Sequence, residues 1–252
     1  PSRRKWREDS ALLPSGWSKN VCVEINDLGY INKVSDNDII KKTHNITNVD
    51  LLLPSVSNLH SHSFQRAMAG LTETRGNKQT DSFWTWRDLM YRFLQHLSPE
   101  DIFSITSLGQ MEMLKSGYSS VAEFHYLHHQ YNGNEYDNIA EISQAIIEAS
   151  KTSGIGLTIL PVLYEQGGCD GRPLEGGQKR FGNSIDQYVK LFETIQKELT
   201  STQDFNIGIA AHSLRAVKLE SLKYAKNLSK SPFHIHVAEQ EKEVDEILSF
   251  YG

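Results

Sequence analysis

Cysteine is scarce in this chain: Cys22 and Cys169 are the two in 252 residues, and neither has a CxxC neighbour. That spacing excludes a disulfide framework and a thiolate zinc site. No uninterrupted apolar stretch approaches the ~20 residues of a membrane-spanning helix. The start, Ser2-Arg-Arg-Lys-Trp-Arg7, is charged and lacks the apolar region of a secretory signal. The cytoplasm is the expected compartment, with no membrane partner. A basic excess is absent too. Net charge is -5, so no global field favours nucleic acid, and the basic start, followed by Glu8 and Asp9, reads as a solvated terminus. Neither internal repeats nor low-complexity tracts stand out. What remains is 38% hydrophobic and 23% charged. That is an ordinary globular composition with ample material for a core in one or two domains.

The first part, residues 1–53, reads as a small β unit. Val21–Ile25 is an apolar-rich strand, Asn26-Asp-Leu-Gly29 a turn, and Tyr30–Val34 its hairpin partner. From residue 54 to 252 strands alternate with helices. The expected strands are Leu51–Leu59, Ser120–Phe124, Ile155–Leu163, Phe205–Ala211 and Phe233–Val237. The expected helices are Ser82–Leu97, Pro99–Ser116, Tyr136–Ser153, Ile185–Leu199, Leu219–Leu228 and a last one through Val244–Tyr251. Ser98-Pro-Glu-Asp101 is a strong helix start and Gly117 a stop. Five β/α units with near-continuous apolar strands argue for parallel pairing in an α/β barrel. Five units do not close an eight-stranded TIM barrel. The chain opens on proline rather than methionine, so a processed or an incomplete start is expected, and its last helical pattern stops abruptly at Gly252.

Polar residues collect at the C-terminal ends of these strands, where a β/α barrel builds its site. They are His60 and His62, His125 and Tyr126, Tyr164, His212 and Arg215, and His236 and Glu239. Histidines two apart in an extended chain face one side. His60 and His62 can therefore grip one ion, and His236 can add a third imidazole from a distant strand. Three nitrogen ligands with an open position suit a catalytic zinc. Glu239, three residues past His236, is placed to move protons on a nearby water. His234 faces the same side but deeper, as a packed core residue. In His125-Tyr-Leu-His128-His129, a loop cluster with Tyr126 as substrate contact is preferred to a second metal cluster. Glu123 reads equally as a paired structural carboxylate or a site residue. Arg215 and Arg87, from separate segments, suit bidentate grip of a substrate's acid groups, with a surface salt bridge as the alternative for Arg215. Trp84 and Trp86 read as packing. The aromatic segment that holds them is too long for a simple connector; a lid and a homodimer contact both stay open.

At these residues the chain resembles the amidohydrolase superfamily, and within it the formimidoylglutamate deiminase family. The segments that carry the resemblance are Asn58–Gly70, Asp81–Arg92, Val121–Tyr126, His212–Ala216 and His234–Gln240. The resemblance implies a metal-dependent-hydrolase (β/α)8 TIM barrel with a small β-sandwich built from both chain ends. It also implies one zinc on His60, His62 and His236, Glu239 as proton shuttle, and substrate contacts at Gln65, Arg87, Tyr126, His212 and Arg215. The implied reaction is hydrolysis of N-formimidoyl-L-glutamate, a small substrate with carboxylates, to N-formyl-L-glutamate and ammonia in histidine degradation. The family also uses a sixth-strand histidine and an eighth-strand aspartate. These 252 residues hold neither, so they are expected to be inactive alone. The rival readings are another deaminase of the superfamily, acting on guanine, cytosine or a triazine, and an inactive barrel fragment serving as an assembly partner.

Overall fold

The computed structural model describes residues 4–35, 46–73, 83–199 and 204–252. The chain divides into two units, Pro1–Val56 and Ser57–Gly252.

The first unit is one mixed sheet of four strands, β1 (Arg4–Leu13), β2 (Gly16–Ile25), β3 (Ile31–Ser35) and β4 (Ile46–Leu52), in the order β3-β2-β1-β4. The β1/β2 and β2/β3 pairs are antiparallel and β1/β4 is parallel. The turn from Asn26 to Gly29 forms as the sequence predicts. The Asn26 side chain accepts the Leu28 and Tyr30 N–H groups, both at 3.0 Å, and Gly29 takes φ +88°. The sheet's small core is Ala11, Val21 and Val23. The described residues of this unit form a single sheet.

The predicted strand Leu51–Leu59 is two strands in the structure. The first is β4, which ends at Leu52, and the second is β5 (Val56–Ser61). Pro54 lies between them; with no N–H and a fixed φ, it does not carry a ladder through.

The second unit continues with α1 (Phe83–Leu94), α2 (Pro99–Lys115), β6 (Tyr118–His125), α3 (Glu141–Ser153), β7 (Gly156–Leu163) and α4 (Ile185–Leu199). It ends with β8 (Phe205–Ile207), β9 (Ile209–Ala211), α5 (Leu219–Lys226), β10 (Phe233–Ile235) and α6 (Glu241–Tyr251). Its sheet runs β10-β9-β7-β6-β5, with β8 also on β7. The pairs β6/β7, β7/β8, β7/β9 and β9/β10 are all parallel. The buried core takes in both faces of this sheet, with Phe124 and Leu160 on one face, Ile159 on the other, and Tyr188 and Ile195 from α4. Both cysteines are buried free thiols. Among the described residues, no helix is long and apolar enough to cross a membrane.

Local chemistry accounts for the element ends. Ser98 and Asp101 form the capping box that starts α2. The helix expected from Tyr136 begins only at Glu141. The Asn138 side chain accepts the Ala140 N–H at 3.0 Å and its carbonyl accepts the Glu141 N–H, so the backbone turns first. The fourth expected strand is interrupted at Gly208, yet its register on β7 is the same on both sides, Ile159↔Ile207 and Val162↔Ala210. Pro161 has no N–H to give there. The Tyr188 hydroxyl fills the gap, donating to the Pro161 carbonyl (3.1 Å) and accepting the Ala210 N–H (3.3 Å). The helix expected to start at Ser82 begins at Phe83 among the described residues, and Ser82 lies outside them.

Candidate metal centre

Strands β5 and β10 lead to the C-terminal edge of the parallel sheet, and their histidines meet there. His60 Nε2 lies 3.1 Å from His62 Nε2 and 3.1 Å from His236 Nε2. Among the described residues these three are the donor set that could hold a metal, with all ligand atoms within 4.8 Å of one another. Nitrogens bound tetrahedrally to zinc at 2.0–2.1 Å stand about 3.3 Å apart, close to this spacing. The His62 tautomer follows from its other nitrogen: Nδ1 faces the Phe124 carbonyl at 3.0 Å, so it carries the proton and leaves the Nε2 lone pair toward the centre. Burial is the main cause that lowers all three pKa values, to about 3 for His62 and about 4 for His236, with the neighbouring histidines adding to it. Three neutral imidazoles with converging lone pairs cannot all satisfy one another through hydrogen bonds. One shared cation satisfies them together, so the site fits zinc. Phe124 supports the group, its ring stacked on His236 at 4.3 Å.

A cavity of about 270 Å³ opens beside these imidazoles. His62, His236, Gln65, Arg87, Tyr126, His212, Arg215 and Glu239 all line it, and His60 stands at the metal group. The Gln65 amide donates to the Tyr126 hydroxyl at 2.9 Å. His212, at the end of β9, sits edge-on to Tyr164 at 4.6 Å and to His236 at 5.0 Å; burial holds it neutral, with its pKa well below the usual histidine value. Ala238 takes the left-handed conformation at φ +57°, rare for a residue with a Cβ. That bend brings Glu239 back to the cavity that His236 already lines. Glu239 is solvent-exposed at the rim, and the surrounding protein still pushes its carboxyl above the usual range. The Glu243 carboxylate adds to the rise, while Arg215 and Arg87 oppose it.

Several wall residues escaped the sequence reading. Trp86 lines the cavity rather than merely packing, as do Phe83, Met90 and Tyr91. A helical period puts positions 83, 86, 87, 90 and 91 on one face of α1, so the signal lay in the spacing around Arg87. The side chain of Trp84 lies outside what the structure describes. Phe181, also missed, and Tyr164, expected at the end of its strand, complete the wall. Other polar candidates hold loops in place instead. His128 Nε2 donates to the Val162 carbonyl at 3.0 Å and His129 Nε2 to that of Gly182. Buried Arg180 donates to the carbonyls of His129 (2.8 Å), Leu97 (3.0 Å) and Leu94. It thereby ties the end of α1 to the loops after β6 and β7. His234 is half-buried beside the metal group.

Residues 51–252 match the amidohydrolase family. The chain belongs to that family. Over 97% of its length this amidohydrolase is 44% identical to formimidoylglutamate deiminase of Pseudomonas aeruginosa, covering 53% of that protein. It is 24% identical, over 80% of the chain and 40% of the relative, to the 5-methylthioadenosine/S-adenosylhomocysteine deaminase of Thermodesulfovibrio yellowstonii. Among solved structures, an amidohydrolase from Brucella melitensis superposes with a TM-score of 0.92 at 38% identity, over 98% of this chain and 55% of that one. A zinc-bound adenosine deaminase from Xanthomonas campestris superposes at 0.71 and 16% identity, over 100% of this chain and 53% of that one, a likeness of fold. The fold is thus the TIM-barrel fold of the amidohydrolases, and the chain spans about half the length of the relatives it matches.

Proposed function

We propose that this pocket, in a polypeptide of its relatives' full length, hydrolyses N-formimidoyl-L-glutamate to N-formyl-L-glutamate and ammonia in histidine degradation. The observation that carries the reading is the presence of two guanidiniums, Arg87 from α1 and Arg215 from the loop after β9, in one cavity with the three converging imidazoles. Two separately mounted cations suit a substrate with two carboxylates, because each presents a planar fork matched to one of them. The likeness to a formimidoylglutamate deiminase supports the same substrate.

His60, His62 and His236 would hold the metal. Zinc in such a site supplies Lewis acidity and lowers the pKa of water toward about 7. The chain's own residues do the rest. Arg87 and Arg215 pair with the carboxylates and fix the formimidoyl carbon near the imidazoles, so attack becomes intramolecular in effect. Glu239 takes a proton from the attacking water and delivers it to the terminal amidine nitrogen. Glu239 then carries the remaining hydroxyl proton to the same nitrogen, the carbon–nitrogen bond to it breaks, ammonia leaves, and the water oxygen becomes the formyl oxygen. A carboxyl raised above its usual range spends more time protonated near neutral pH, which suits the donating half of this cycle. Tyr126, its hydroxyl held by Gln65 and its pKa raised by burial, stays a neutral hydrogen-bonding group on the wall.

The test is ammonia release from formimidoylglutamate by the full-length protein supplied with zinc. Steady turnover supports the assignment. No turnover, together with robust turnover of guanine, cytosine, a triazine or another amidine, overturns it.

A further inference from the structure

Glu123 is a carboxylate only 2% exposed, on the strand beside His62, and the proposed reaction makes no use of it. Its Oε1 accepts the Ser63 N–H at 2.6 Å; burial raises its pKa, and that N–H and the hydroxyls of Ser63 and Ser61 oppose the rise. Ser61 and Ser63 are the residues immediately before and after His62. The next residue of β6, Phe124, offers its carbonyl to His62 Nδ1 at 3.0 Å. The Ser63 hydroxyl is tied in turn to Thr106 of α2 at 2.9 Å.

We propose that Glu123 is a positioning residue of the metal centre. It is the backbone half of a clamp in which strand β6 holds His62 at two levels, the ring through the Phe124 carbonyl and the flanking chain through the Glu123 carboxylate. The inference rests on the reading of the three histidines as metal ligands. A ring held at Nδ1 alone still moves with its backbone. A rotation of about 15° at His62 swings Nε2 by about 1 Å, whereas a metal–nitrogen bond tolerates about 0.2 Å. The turn at Ser63 leaves strand β5, where ladder bonds no longer restrain the chain, and Glu123 supplies the restraint there. Burying a carboxylate costs free energy unless its acceptors are filled. Here the donors that fill them flank the ligand.

The experiment uses the full-length protein, stripped of metal and titrated with zinc against a chromophoric chelator, with the cobalt(II) spectrum as a readout of ligand geometry. Glu123→Asp keeps the charge and withdraws the oxygens by one methylene. It is expected to weaken zinc binding about tenfold or more, the usual effect of losing an outer-shell partner, and to alter the cobalt spectrum while the far-ultraviolet circular dichroism stays wild-type. Glu123→Gln keeps an acceptor at Oε1 and is expected to bind zinc within about threefold of wild type. A folded Glu123→Asp protein with wild-type zinc affinity and cobalt spectrum overturns the clamp. Should Glu123→Asp fail to fold, Ser61→Ala carries the test: a several-fold loss of zinc affinity supports the clamp, and wild-type affinity overturns it. Absence of zinc binding by the wild-type protein overturns the metal reading itself, a distinguishable result.

Discussion

Replacing Arg215 by alanine probes the substrate assignment most directly, because the structure fixes what the change removes. Arg215 lines the cavity with Glu239 and His212. A guanidinium–carboxylate hydrogen bond contributes about 1.5–3 kcal/mol, so Arg215→Ala should lower kcat/KM for formimidoylglutamate about 10- to 150-fold. Arginine-to-lysine should fall between, since a point charge replaces a fork. A loss of that size has many causes, and a paired change in the substrate separates them. The formimidoyl derivatives of γ-aminobutyrate and of α-aminobutyrate each lack one carboxylate. On the analogue without its partner carboxylate, Arg215→Ala should cost almost nothing, and Arg87→Ala should behave likewise on the other analogue. Arg215 also opposes the rise in the Glu239 pKa. Its loss should therefore move the acidic limb of kcat/KM to higher pH, because Glu239 then holds its proton further up the scale. Steady-state ammonia assays on the two variants and three substrates measure the whole cycle. An equal loss on all three substrates refutes carboxylate pairing by these arginines.

Zinc affinity should change little between about pH 7.5 and about pH 5.5. Three imidazoles at the ordinary value of 6.5 would each lose about tenfold over that interval, about a thousandfold together. Burial holds His62 at about 3, His236 at about 4 and His60 below 6.5, so protons compete only as pH falls through these lowered values and at most about tenfold should be lost. Chelator competition across this range decides it; a thousandfold fall refutes the neutral-imidazole account. Arg180→Met should destabilise the fold by about 2–4 kcal/mol, because the buried Leu97 and His129 carbonyls lose a charged donor. Thermal unfolding with a melting temperature at the wild-type value would contradict that.

The parts of this molecule that were legible in the sequence are the parts that local periodicity controls. Alternation along a strand put His60 and His62 on one side, a capping box announced α2, and apolar runs ending in polar residues marked the edge of the parallel sheet. Some misreadings arise from local residues, Pro54 and Asn138, and others where a distant group decides the backbone. Tyr188 completes the ladder across Pro161 and Gly208; Gly208 hints at the interruption within residues 205–211, but nothing there announces the group that bridges it. Arg180 reaches carbonyls more than eighty residues earlier in the chain, and a lone arginine carries no local sign of which carbonyls it will take. Trp86 and Tyr91 were readable in principle, because the face of α1 that carries Arg87 recurs at helical spacing.

The same distinction separates the metal ligands from what holds them. A ligand set needs residue types at strand ends, and alternation exposes those. Its precision needs fixed rings, and that comes from β6: the Phe124 carbonyl on the His62 ring, the Phe124 side chain stacked against His236, and the Glu123 carboxylate on the chain around His62. In the sequence, Glu123 and Phe124 sit in an ordinary strand, Val-Ala-Glu-Phe-His, with no spacing relation to His60 or His236. Their role follows only from sheet order, which places β6 beside β5. A buried acid inside an apolar strand is nevertheless costly enough to demand donors. In a parallel sheet those donors must come from adjacent strands or the turns that leave them. Once β5 is paired with β6, the turn after His62 is the nearest supply of unpaired N–H and hydroxyl groups, so the position of Glu123 itself points to the ligand it steadies.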